Sequence, residues 1–171
     1  MRAFGSEHFR LREAPATVRR VYAGFLVLAA VGFLTQAGFQ AGRIGITPAA
    51  IAAYYRGGEV GGAMAFPKPF GHLLEVTHAH AFMMAVVFLV LAHLFVATAV
   101  SERSKRLVLL VAFGGALGDL AGPWLVRYGA AGLAWVELGA WLALWGGGAV
   151  MIGVSLHECL ARPRPGRGST Q

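Results

Sequence analysis

A chain of 171 residues with one cysteine, Cys159, can form no internal disulfide, and it has no CxxCH with which to attach a c-type haem covalently. Charge is nearly as scarce. Asp, Glu, Lys and Arg make up 13% of the residues, too little polar surface for a soluble domain of this size. No phosphate loop, nucleophile motif or CxxC is present, so nothing supports a hydrolase or a kinase. Carboxylates are the rarest charged class: eight Asp and Glu stand against fifteen Lys and Arg. A net charge of +7 would suit nucleic acid, but the basic residues cluster by position in a way that reports topology instead, and no nucleic-acid partner is expected.

What remains is apolar. Hydrophobic residues make up 57% of the chain, and its 24 glycines, unfavourable in soluble helices, suit membrane helices that approach closely. The pattern predicts an all-α fold: an integral membrane four-helix up-and-down bundle in contact with lipid. Spans are expected at 21–39, 71–100, 107–125 and 131–156, each able to cross a hydrocarbon core of roughly 30 Å. They form a transmembrane domain over 21–160, with a basic leader at 1–20, a loop at 40–70 and a basic, disordered tail at 161–171. The leader is followed by no small-residue cleavage site, so the first run is expected to stay as an anchor. Within the loop, Thr47 and Pro48 form a helix start signal for ITPAAIAAYYRG, and Tyr54 and Tyr55 suit a membrane interface. Gly114, Gly118 and Gly122 form one small-residue stripe, and Gly139, Ala143 and Gly147 another.

Eleven of the fifteen Lys and Arg lie in the leader, the SERSKR loop and the tail, and four lie in the loops opposite. By the positive-inside rule both termini are cytoplasmic, and the 40–70 loop faces outward from a bacterial inner membrane crossed several times.

Four of the six histidines fall between His72 and His93, in the second span. Ionisable groups there are costly and usually face a bundle interior. At about 100° per residue, Glu75 and His93 share one line with His72 and His78 about 60° to either side, whereas His80 points about 200° away from His78. His78 and His93 are roughly 22 Å apart along the axis, so they cannot share a metal. On the inner level, His93 and His157 are candidate axial ligands for a non-covalent haem b. On the outer level, Asp119 and Glu137 can come near His78 or His80, a mixed set suited to another metal ion or to proton transfer. Blander readings stand beside these. His8 is solvated, His72 is interfacial, and His157 complements a helix C-terminus. Any membrane histidine can act as interhelical glue worth about 0.6–2 kcal/mol. Met83 and Met84 suit packing better than copper.

The spacing from His80 to His93 resembles the thirteen- to fourteen-residue spacing of haem-ligating histidines in two-haem b-type cytochromes, which implies electron transport. ITPAAIAAYYRGG, LLEVTHAHAF and LAHLF together resemble a group of uncharacterised bacterial four-helix membrane proteins with a histidine-rich second helix, which implies architecture. The expected function is therefore a membrane electron-transfer subunit of the b-type cytochrome kind, at most a redox subunit of a larger oxidoreductase. It would exchange electrons with quinol or with other subunits of a respiratory complex, and a homodimer could supply missing ligands. A non-haem metal-binding or metal-delivery protein using His78, His80, Asp119 and Glu137, or a structural assembly subunit, are the alternatives.

Overall fold

In a bilayer every backbone polar group must be satisfied within the protein, so apolar runs of this length close on themselves as helices. The computed structural model describes residues 10–60 and 63–161, and among them four helices are long and apolar enough to cross a membrane. Residues 1–9 of the basic leader, including Arg2 and His8, lie outside the described residues, as do Gly61, Gly62 and the tail from Arg162. A short 3-10 turn at Leu11–Glu13 precedes α1, Ala16–Arg43. Then come α2 (Pro48–Arg56), a hairpin of β1 (Gly58–Val60) and β2 (Ala63–Ala65), α3 (Phe70–Val96), α4 (Glu102–Trp124) and α5 (Ala134–Leu160).

The short loop helix is where the sequence places it. Thr47 Oγ1 accepts from the Ala50 N–H at 3.2 Å and Pro48 opens the first turn, a cap worth about 1 kcal/mol. The hairpin is a surprise. Three-residue antiparallel strands, paired Gly58 to Ala65, are too short to show alternation. Gly57 takes φ +81°, and a side chain there would run into Ala65 and Pro67.

Span limits shift for identifiable reasons. α1 outruns the predicted 21–39 because Arg19, Arg20 and Arg43 continue the helix beyond the apolar run. α3 stops at Val96, short of Val100, where Ala97 leaves helical ψ and the Thr98 hydroxyl donates to the Phe95 carbonyl at 2.7 Å. α4 starts at Glu102, not Leu107, because Ser101 caps it by accepting from the Ser104 N–H at 3.2 Å.

α5 is the central helix: α1, α3 and α4 all pack on it, and its interface with α4 is the most extensive. The small residues explain that closeness, with one correction of register. A side chain at Gly114 or Gly139 would meet open space, whereas one at Gly115 would overlap the backbone of Ala143 and Leu144. Gly118 faces Ala140, Gly122 faces Glu137, and Gly147 faces Ala112. The working stripe on α4 is thus Gly115, Gly118 and Gly122, at helical spacings of three and four.

Contacts at the two ends hold the bundle together. At the end carrying the termini, Arg19 donates to the Cys159 and Ala161 carbonyls at 2.8 and 2.6 Å, satisfying the last turn of α5, and the Leu11 N–H donates to Ala97 at 2.9 Å. At the other end, Arg56 donates to the Val126 and Gly129 carbonyls at 3.0 and 3.1 Å in the turn after α4, and Arg127 donates to the Lys68 carbonyl at 3.0 Å.

Gly115→Ala is expected to lower bundle stability by about 1–3 kcal/mol through overpacking against α5, while Gly114→Ala leaves it unchanged. Unfolding midpoints of the two variants in mixed detergent–SDS micelles check this, and equal midpoints would refute the assigned register.

Candidate functional site

At the α2 end of the bundle, α1, α2, α3, α4 and α5 enclose a cleft of about 270 Å³. Its deepest wall is acidic. Gly122 has no side chain, which allows Glu137 of α5 to lie flat against α4; a Cβ at position 122 would coincide with the Glu137 carboxylate. Glu137 is only 1% exposed, and neither carboxylate oxygen has a hydrogen-bond partner among the described residues. Asp119, one turn back on α4, is close enough to interact with it electrostatically. The Gln40 side chain amide donates to Asp119 at 3.4 Å. The Trp141 indole lies against both carboxylates, although its Nε1 falls outside hydrogen-bonding geometry.

Unpaired buried carboxyl groups are expensive in low-dielectric surroundings, because a charged carboxylate there has lost its water without gaining a donor. Tyr55 feels that environment too. It sits on the inward face of α2 beside Ile51, and burial, reinforced by the negative charges of Glu137 and Asp119, raises its phenol above the ordinary tyrosine range. It therefore remains a neutral hydroxyl. Tyr55 is thus buried and not at an interface as expected, while the Tyr54 ring lies 4.0 Å from the Lys68 ammonium. Lys68, Arg43 and His72 line the cleft nearer its rim.

His80 joins this set. It lines the cleft and interacts electrostatically with Asp119. Its Nδ1 lies 2.9 Å from the Val76 carbonyl, and a carbonyl can only accept, so Nδ1 carries a proton; when the ring is neutral, Nε2 is left as an acceptor. His78 is elsewhere. As the roughly 200° offset requires, it is exposed, with its ring edge-on to Phe82 at 5.1 Å. His93, near the far end of α3, and His157, in the last turn of α5, are also exposed and line neither this cleft nor the apolar one beside it.

Of the six residues singled out from the sequence, His80, Asp119 and Glu137 come together, and His78, His93 and His157 do not join them. Among the described residues no three His, Cys, Asp or Glu side chains form a group that could hold a metal ion. Sequence reasoning missed Gln40, Tyr55, Trp141 and the enabling Gly122. Gln36 and Gln40 lie four residues apart on α1, and that shared face was the one available signal.

These features define a multi-pass integral membrane protein, a four-span helical bundle with an acidic cleft at one end. The chain belongs to the Aq_1264_TM family, a transmembrane helical domain whose family model matches residues 45–166. No curated protein and no solved structure matches it.

Because the raised Tyr55 phenol stays protonated where an unfolded chain ionises, stability is unaffected below pH about 10, the ordinary tyrosine value, and falls as pH rises beyond it. An ultraviolet tyrosinate titration should show a late component in the native protein that is missing in Tyr55→Phe. If both proteins titrate alike, the burial assigned to Tyr55 is wrong.

Proposed function

We propose that this protein is a redox subunit of the bacterial cytoplasmic membrane, of the b-type cytochrome kind, which handles protons at the α2 end of its bundle on behalf of a larger complex. The observation that carries the reading is the Asp119–Glu137 pair with His80 beside it. Ionisable side chains inside a membrane are costly and typically mark ion pathways or proton relays. Here two carboxyls, an imidazole with a free Nε2 and a neutral phenol share one cleft, a set that can accept a proton and pass it on.

The basic residues at the leader, the SERSKR loop and the tail favour cytoplasmic termini, so the cleft would open on the outer side of the membrane. Haem b would be held at the opposite end by His93 and His157, and would supply one-electron transfer there. Both imidazoles are exposed on this chain, which suits coordination completed against a neighbouring subunit or a second copy. Metal delivery has weaker support, because His78 stands apart from His80, Asp119 and Glu137.

Protein purified in mild detergent from its native membrane, with its co-purifying partners, should show a Soret band and a reduced α-band. His93→Ala should abolish them. Glu137→Gln should keep the spectrum while slowing redox-linked proton exchange, followed with a pH indicator, by about 10²-fold. A preparation with neither chromophore nor redox-linked proton exchange would remove the proposal.

A further inference from the structure

A second cleft adjoins the acidic one, and it is apolar. α1 and α3 both pack on α5 but make little contact with each other. The gap between them, about 440 Å³, has Leu144 and Trp145 of α5 as its floor and Phe25, Phe33, Met83 and Phe88 among its walls. Two side chains, Gln36 and His80, line both clefts. The combined space is amphipathic: polar at the α2 end, and aromatic and aliphatic toward the middle of the bundle.

Several polar atoms around this junction are unused by the protein. Gln40 Oε1, both Glu137 oxygens and the indole Nε1 of Trp141 and Trp145 are buried with no hydrogen-bond partner among the described residues. Gln40 is 4% exposed and Trp141 fully buried, so these are interior groups and not surface atoms facing bulk water. Buried polar atoms are ordinarily paired, and a run of unpaired ones beside a cavity calls for a polar ligand.

We propose that the two clefts together bind a membrane quinol, a refinement that rests on the redox reading above. The ring would occupy the junction, with one hydroxyl donating to His80 Nε2 and Gln36 as a second polar contact. The isoprenoid tail would run along Phe25, Phe33, Met83 and Phe88 and leave between α1 and α3 into the lipid. Flat aromatic walls and a flexible methionine suit a planar ring and a branched tail. The head chemistry selects this occupant over a phospholipid. Arg43 and Lys68 stand at the rim of the acidic cleft, but the groups beyond them are the carboxyls of Asp119 and Glu137, which would repel a phosphate and can take hydrogen bonds from a neutral hydroquinone. His80, oriented by the Val76 carbonyl, offers Nε2 as an acceptor when its ring is neutral.

The test uses the full-length protein in detergent micelles and a decyl-substituted benzoquinol, kept reduced under anaerobic conditions, as probe, read by quenching of tryptophan fluorescence, since Trp145 lines the cleft. Saturable quenching is expected. His80→Ala should weaken it about tenfold, the loss of one good hydrogen bond, with partial recovery in His80→Gln. Ala29→Phe, which fills the apolar cleft, should weaken it at least as much, and Glu75→Gln, exposed outside both clefts, should not change it. Circular dichroism and gel filtration establish that each variant folds. Quenching that fails to saturate, that survives both His80→Ala and Ala29→Phe, or that phosphatidylglycerol displaces at equal concentration would overturn the proposal. Quinol binding without redox-linked proton exchange would sink the redox reading and leave the site standing; proton exchange without quinol binding would sink the site alone.

Discussion

The close approach of α4 to α5 is the contact on which the rest of this bundle depends. Within lipid no hydrophobic force draws helices together, so association rests on van der Waals packing, and packing needs backbones near one another. Gly115, Gly118 and Gly147 supply that nearness by having no side chain where the helices cross. The same stripe continues to Gly122, and there the space is filled by a carboxyl group instead of a methyl. A packing device thereby becomes a way of holding Glu137 away from water.

Polarity is distributed unevenly along the bundle as a result. At the end carrying the termini, Arg19 closes the last turn of α5 and Lys105 pairs with Glu102 at 2.9 Å, so these cations complete the structure. At the opposite end, the turn after α4 is held by Arg56, and Trp124 Nε1 donates to Thr77 at 2.8 Å, which ties α4 to α3. The cleft sits inside that frame. The Glu137 carboxyl, the Gln40 amide oxygen and the Trp141 indole are surrounded by satisfied contacts while having no hydrogen-bond partner themselves among the described residues, and a site that must take up a ligand or a proton needs that difference.

Helix α1 has a distinct part in this arrangement. Its apolar side chains mostly face outward, and it meets the bundle chiefly along α5, where Gly148 admits the Phe33 ring. Phe33 and Phe88 then touch across the gap to α3 at a ring separation of 6.2 Å. A helix leaning on one neighbour leaves a lateral opening on its other side, and this opening gives the polar residues at the cleft a route to the membrane interior.

Four spans, a capped loop helix and the position of ionisable residues within a helix were legible from residue order, because hydropathy, cap chemistry and helical angle act over one or two turns. Helical angle separates His80 from His78, and the structure places them accordingly, one in the cleft and one outside it. Residue order left open whether Asp119 and Glu137 would approach one histidine or the other, and it put Gly114 on the packing stripe where Gly115 belongs. Those points turn on the rotation of α4 about its axis and on which helix lies at the centre, quantities set by side-chain volumes from three or four helices at once. Tyr55 shows the same limit: it reads as an interface residue in its own segment and becomes a buried wall only when α1 and α2 close over the end of α5. The sequence by itself determined that this chain crosses the membrane four times and carries ionisable groups inside it; only the tertiary packing decided which of those groups share a cavity, because burial depends on neighbours that local sequence does not specify.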